Sequence, residues 1–508
     1  MNIIDKVFGT SFFNKKQSSV LVSPTIVREK IYDGETNAGT LGNPINLIPN
    51  EEIIRYRANE AMLTSDVIKS ISSKYFKFVV GQGLILKAEP NIDVLKSEGI
   101  NEDLKNFVDL SETRFKIWSK SKLSDYSEQK SLHKLALDAF TTAFVGGDCL
   151  VVCRIDKQNN LKIQIIDGSH IGTSINTKPL NETNTIVKGV ERDSKGKHIA
   201  YHLRNGELIE CYGKKTGRKL AWLVYGSKAR IDHVRGMSEI SSILEKDGVL
   251  KRYTEATVTS AEERAKIAYA ITHGIHSNGE NPLAAKIAAI QGNNGGDKVD
   301  FENLKKNIEL TTQKTVINMP QDSDLKSLES DQEVNYPEFF NAIFEQECSA
   351  MDIPPEVAKQ MYNSNYSASR AAINNWGYIV DIKREDLSED FYKPIYNLWL
   401  ELEILKGKIQ SNGFKKALRE KNYMALEAFT TARFQGLKMP HIDPLKEVKA
   451  VREMIAENLI SKEQATEILN IGDWWENREK INNEQEYINK NYAAQNKTSE
   501  QGGELAQA

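Results

Sequence analysis

Long apolar runs are missing from this chain. None approaches the ~20 consecutive apolar residues that a membrane-spanning helix needs, so no membrane association is expected. Met1 to Lys16 offers only a short apolar stretch and no small-residue cleavage site, which reads as no secretory signal. Cysteine is scarce too. Cys149, Cys153, Cys211 and Cys348 are the only four, at spacings that fit no zinc pattern and with no histidine pair nearby at ligand spacing. Cys149 and Cys153 frame Leu150, Val151 and Val152, so the expectation is free thiols buried in a strand, in a protein made in a reducing cytoplasm. Neither sign of charge is in excess: 67 basic residues against 70 acidic leave a net charge of −3. That balance excludes a protein held to nucleic acid mainly by neutralising phosphates, though not one past which a duplex slides.

The usual signatures of catalysis are absent as well. Gly213-Lys214-Lys215-Thr216 resembles the end of a phosphate-binding loop, but Leu208 stands where its first glycine belongs and no apolar strand leads in. Gly81-Gln82-Gly83 lacks the third glycine and the following helix of a dinucleotide fingerprint. His198 and His202 lie four apart in a region of strand period, where helical metal-ligand geometry is not available. Gly236-Met237-Ser238 has no flanking glycine after the serine, so it is no nucleophile elbow. Glu262 and Glu263 read as helix-surface acids, Glu262 pairing with Lys266. No catalytic residue, metal or cofactor is expected, and the balance shifts to a structural or assembly role.

What the chain does contain is a mixed α+β pattern long enough for two to four folded units. Residues 1–50 are irregular. Helical spacing begins at Glu51, with Thr64 or Ser65 placed to cap a second helix that ends at Gly81 and Gly83. A further helix, Ser131 to Phe144, precedes a β-rich region whose strands are read as Cys149–Ile155, Leu161–Ile166, Ile186–Glu191, Ile199–Leu203 and Leu220–Tyr225. Met237 to about Thr272 reads as one uninterrupted helix, ~50 Å long, weakened only at Gly248. A Gly/Asn-rich segment follows, then a helix from Pro337 to Met351 stopped by Ile353-Pro354-Pro355. Past a polar loop, a second long helix runs from Ala368 towards Ile404, with Pro394 bound to interrupt it. Helices recur at 444–470 and 474–489, before a polar tail from about Tyr492 that reads as disordered. Two long helices around a loop-rich insert suggest something elongated.

Five stretches in this order resemble the portal proteins of tailed phages, of the lambda-type family. They are Tyr56-Arg57-Ala58 through Val79-Val80-Gly81-Gln82-Gly83-Leu84; Leu135 to Val151 with Gly146-Gly147-Asp148; and Gly189-Val190-Glu191 through Ala200-Tyr201-His202. The fourth is His233-Val234-Arg235-Gly236-Met237-Ser238-Glu239 with the helix through Tyr253 and Ala265-Lys266-Ile267-Ala268. The last pairs Asn365-Tyr366-Ser367-Ala368-Ser369-Arg370-Ala371-Ala372 with His441-Ile442-Asp443-Pro444-Leu445-Lys446-Glu447. The segment His273 to Asp331 matches poorly, and Lys438 and Met439 replace the aromatics usual near the Asp-Pro motif.

The resemblance implies a portal fold: an N-terminal wing (1–235), a stem helix (236–272), a clip (273–334) and a second stem helix (335–352). A further wing segment with the channel loop and long helix (353–445) and a helical crown with a disordered tail (446–508) would complete it. It implies a ring, usually of twelve subunits, at one capsid vertex, passing double-stranded DNA and touching the major capsid protein, the large terminase subunit and later a head–tail adaptor. Tyr362, Asn363, Ser364, Asn365, Tyr366 and Ser367 become the channel loop; from the residues alone the same loop reads as a turn in which Ser367 or Ser369 caps the helix. Arg370 is a candidate partner for an acid of a neighbouring subunit. Trp474-Trp475 is either an interface anchor or packing within its own domain. The rival readings are another head-completion or minor capsid protein, and a nuclease with dispersed acids.

Overall fold

The computed structural model describes residues 51–174, 177–228, 231, 233–273, 308–311, 314–321, 335–361, 366–436, 444–472 and 474–504. The chain divides into two compact units, cut between Ser241 and Ser242 and again between Ala350 and Met351.

The first unit opens with α1 (Glu51–Thr64), which buries Ile54, Ala58 and Ala61 along one stripe. Ser65 then caps α2 (Asp66–Tyr75), its hydroxyl accepting from the Ile68 N–H at 3.2 Å. A π-helical turn, Phe76–Val80, closes the pair, and the chain leaves it through Gly81 and Gly83, both at positive φ. Then come β1 (Ile85–Ala88), α3 (Ile92–Ser97), α4 (Lys105–Lys120) and α5 (Leu132–Gly146). Helix α5 buries Leu135, Ala136, Ala139, Phe140, Ala143 and Phe144, so it lies against core along most of its surface.

Two antiparallel sheets follow. In one, β2 (Asp148–Ile155) runs between β3 (Leu161–Asp167) and β8 (Ala221–Tyr225). The other is ordered β4 (Thr185–Val187), β5 (Val190–Arg192), β6 (His198–His202) and β7 (Leu208–Glu210). Leu150, Val152 and Leu223 of the first share a core with Val190, Tyr201 and Ile209 of the second. The strand expected over Ile186–Glu191 is instead a hairpin. Val187 pairs with Val190 across Lys188 (φ 49°) and Gly189 (φ 84°), the two positive-φ positions of a tight two-residue turn. All four cysteines are buried thiols.

In the second unit, α6 spans Leu244–Lys266, ~34 Å rather than the ~50 Å expected from Met237 to Thr272. Met237 is taken by a β-bridge to Ser227, and Ile267, Tyr269 and Ile271 alternate along β9 (Ile267–His273). Strand β9 pairs parallel to β11 (Lys314–Gln321), which pairs antiparallel to β10 (Ile308–Thr311). Helix α7 (Tyr336–Ala350) returns along α6. Aromatic rings join the two helices: Tyr253 stacks on Tyr336 with centroids 6.0 Å apart and meets Phe339 at 4.2 Å.

The chain re-enters the first unit through α8 (Pro355–Lys359) and α9 (Tyr366–Leu387). The interruption expected at Pro394 falls just before it, as a π-helical turn over Ser388–Tyr392 ahead of α10 (Lys393–Leu405). Proline cannot donate to the carbonyl four residues back. That carbonyl, Asp390 O, accepts instead from the Trp222 indole N–H at 2.8 Å. Next are α11 (Asn412–Glu420), α12 (Tyr423–Thr430) and β12 (Ala432–Gln435), the last antiparallel to β1 with Ile85 opposite Gln435. Helices α13 (Pro444–Ala456), α14 (Lys462–Ile468) and α15 (Trp474–Glu504) end the described chain. The tail read as disordered from about Tyr492 is helical to Glu504; Ala493, Ala494, Gln495 and Lys497 are good helix formers and no proline intervenes.

Candidate functional site

Tyr362, Asn363, Ser364 and Asn365 lie outside the described residues, while Tyr366 and Ser367 open α9. Ser369 is buried. Arg370, half exposed, approaches Glu447 of α13 in its own chain at 3.9 Å. Trp474 and Trp475 meet edge to face at 4.5 Å, and Trp475 stays 64% exposed at the start of α15. Glu476 beside them pairs with Lys116 of α4 at 2.7 Å. Among the described candidates, Arg370 meets α13, while the Trp474-Trp475 pair sits beside the Glu476–Lys116 contact to α4.

The motifs singled out in the sequence do meet one another, at a buried ionic clasp. Asp148, at the start of β2, is fully buried. Its Oδ1 accepts from Arg55 Nη2 and Arg235 Nη2, both at 2.7 Å; its Oδ2 accepts from Arg235 Nε at 2.6 Å and the Gly236 N–H at 3.0 Å. Arg235 also donates to the carbonyls of Gly168 (2.6 Å), Ile171 and Lys188 (both 3.2 Å), while Arg55 donates to Gly146 O at 2.5 Å. One guanidinium thus ties together the end of β3, the loop after it, the β4–β5 turn and β2. Burial pushes the Asp148 carboxyl up, but the hydrogen bonds and charge of Arg235, the Arg55 charge and the Gly236 N–H outweigh it and hold it below the usual carboxylate range.

Glycine is required where this clasp closes. A Cβ on Gly236 would sit 1.9 Å from Gly147 O, and Gly147 itself has φ 99°. A second buried pair joins the two ends of the Gly189–His202 stretch. Glu191 Oε2 meets His202 Nε2 at 2.9 Å, and Oε1 accepts from the Leu180 N–H (2.8 Å) and Asn184 Nδ2 (2.6 Å). Burial raises the Glu191 carboxyl, but these bonds together carry it below its ordinary value. Glu239, five residues after Val234, pairs with Lys383 of α9 at 2.6 Å. Arg384 next to it donates to Phe78 O (2.7 Å) and Val79 O (3.3 Å), filling carbonyls at the close of the first helix pair.

Sequence reasoning flagged Gly146-Gly147-Asp148 and Arg235-Gly236 separately and missed that they are partners; Arg55 escaped it altogether. A lone buried-type acid beside two glycines and an Arg-Gly pair were the available signals. With every Asp148 oxygen engaged, the clasp leaves no reactive lone pair, and its chemistry is that of a joint. Among the described residues no group of three or more His, Cys, Asp or Glu is placed to hold a metal ion, and no helix is long and apolar enough to cross a membrane.

The family model for phage portal proteins of the lambda family matches residues 43–382, a stretch holding the clasp, the Glu191–His202 pair and the whole second unit. The chain belongs to this family, which is structural rather than catalytic, and its place is the portal vertex of the virion capsid. Among solved structures it is similar to a chain from the neck of a native gene transfer agent particle with C12 symmetry, at 10% identity and TM-score 0.38, covering 82% of this chain and 94% of that one. A chain from the virion of the native gene transfer agent particle matches at 10% identity and TM-score 0.41, covering 84% and 94%. One from the neck of the empty particle with C6 symmetry matches at 9% and 0.37, with the same coverage. No curated protein matches the sequence.

Proposed function

We propose that this chain is one subunit of a ring of twelve, through which double-stranded DNA enters the capsid at packaging and leaves at ejection. The observation that carries the reading is the family match over residues 43–382. In it, α6 and α7 are the paired stem helices of 236–272 and 335–352, and β10 and β11 belong to the clip, 273–334. The large terminase subunit docks on the clip first and a head–tail adaptor later. Residues 1–235 and 353–445 are the wing, next to the major capsid protein, and 446–508 the crown.

The near-balanced charge supports a conduit. Each phosphate gripped by a cation releases counterions, a gain that must be undone before DNA can move on. The loop from Tyr362 to Ser367 offers neutral hydroxyl and amide groups for exchangeable contacts to the backbone. Arg370 and Trp474-Trp475 are contacts between subunits. Energy for movement comes from a separate ATP-driven motor.

Negative-stain imaging and native mass measurement of the purified chain test this. The expected result is a ring with a channel about 30 Å across, wide enough for a duplex of about 20 Å. Monomers or a compact dimer at high concentration would overturn the ring and favour a head-completion or minor capsid role.

A further inference from the structure

Two helices near the end of the described chain leave apolar side chains uncovered. Among its described residues α13 buries only Val451, while Leu445 is 77% and Val448 50% exposed. On α15, every residue from Arg478 to Asn489 is exposed, Ile481 and Ile488 among them. A helix that is polar on most faces gains little stability from its own hydrogen bonds and needs another element against its apolar seam.

The two seams share one pattern. Leu445, Val448 and Arg452 are spaced three then four along α13, and Ile481, Glu484 and Ile488 are spaced three then four along α15. This spacing keeps side chains on one face of a helix and suits packing against a second helix. Trp474, seven residues before Ile481, extends the α15 seam to the Trp474-Trp475 pair. Each seam carries two exposed apolar groups and one charge, and the two charges are opposite. Neither Arg452 nor Glu484 forms an ion pair among the described residues.

We propose that the α13 seam of one copy of this chain takes the α15 seam of the next copy. This contact presupposes the ring proposed above and names the surfaces that join its subunits at this end. Like seams do not suit one another. Pairing α13 with α13 brings two arginines together, and α15 with α15 two glutamates, each charge losing water without gaining a partner. Pairing α13 with α15 sets Arg452 against Glu484 between apolar side chains. A contact between two different surfaces is also what closes a ring by rotation, whereas a surface that meets its own kind stops at a dimer.

Analytical ultracentrifugation of the full chain over a concentration series, read as the concentration of half assembly, tests the contact. The variants are R452E, E484K and the double reversal R452E/E484K, with K416E on α11 as the control. Wild type and K416E should form rings alike. Each single reversal should raise the concentration of half assembly about fivefold or more, and the double reversal should return it to about the wild-type value. Rings unmoved by the single reversals, or an equal loss in K416E, overturn the contact and leave the ring standing. So does a loss that the double reversal fails to repair, because each charge then faces its own kind or another protein. A wild type that stays monomeric overturns the ring, and the contact with it.

Discussion

Asp148 accepts four hydrogen bonds from two guanidiniums and a backbone N–H, all away from water. An Asp148→Asn substitution keeps the shape but leaves Arg55 and Arg235 buried without a counter-charge. Breaking a buried pair in this way costs about 3–5 kcal/mol, so the urea midpoint of the variant should fall well below that of wild type. The same carboxyl sets an acid limit. Its pKa in the fold lies below the ordinary value, so its contribution is fully present above that value and is lost as pH falls through it towards the folded one. Glu191 acts in the same direction. Wild-type stability should therefore decline below about pH 4, and thermal unfolding from pH 7 to 3 should show a shallower decline in Asp148→Asn.

At the scale of elements, α7 carries the opposite case. Glu347 is fully buried with both carboxylate oxygens unbonded, and burial, with the charge of Asp247 on α6, raises its carboxyl to about 8. A raised acid costs nothing below its ordinary value and progressively more as pH climbs to the folded one. Glu347→Gln should leave the melting temperature unchanged near pH 4 and raise it at pH 8, by an amount worth on the order of 1–2 kcal/mol. An equal effect at both pH values would mean that its charge is not the cause. The break between α9 and α10 gives a second test. Trp222→Phe removes the donor to Asp390 O, the carbonyl to which Pro394 cannot donate, and should cost about 1–2 kcal/mol in a denaturant titration.

Most elements were legible because their signals are local. Ser65 capped where a cap was expected, and Pro394 broke its helix. The failures are where a partner far along the chain decides. Ile267–His273 has an apolar run that suits a helix or a strand, and β11, more than forty residues on, settles it as strand. The turn at Lys188-Gly189 was hidden by β-branched residues on both sides that imitate one continuous strand. The clasp was half legible: its glycines drew notice, yet no single sequence shows that Asp148 faces Arg235 across 87 positions.

For the molecule as a whole, deletion of Asn363 to Tyr366 separates the two readings of that loop. Rings of unchanged mass that package or retain less DNA fit a loop that touches the duplex; loss of assembly makes it a structural turn. A larger consequence follows from the pairing of β1 with β12. Ile85 waits for Gln435, ~350 residues later in synthesis, with the entire second unit made in between. At ordinary translation rates that is roughly 20 to 70 seconds during which β1 has an open edge and the first unit has incomplete cover. The nascent chain is therefore a client for holding factors on the ribosome, and slower, cooler expression should raise the yield of soluble subunits available to assemble.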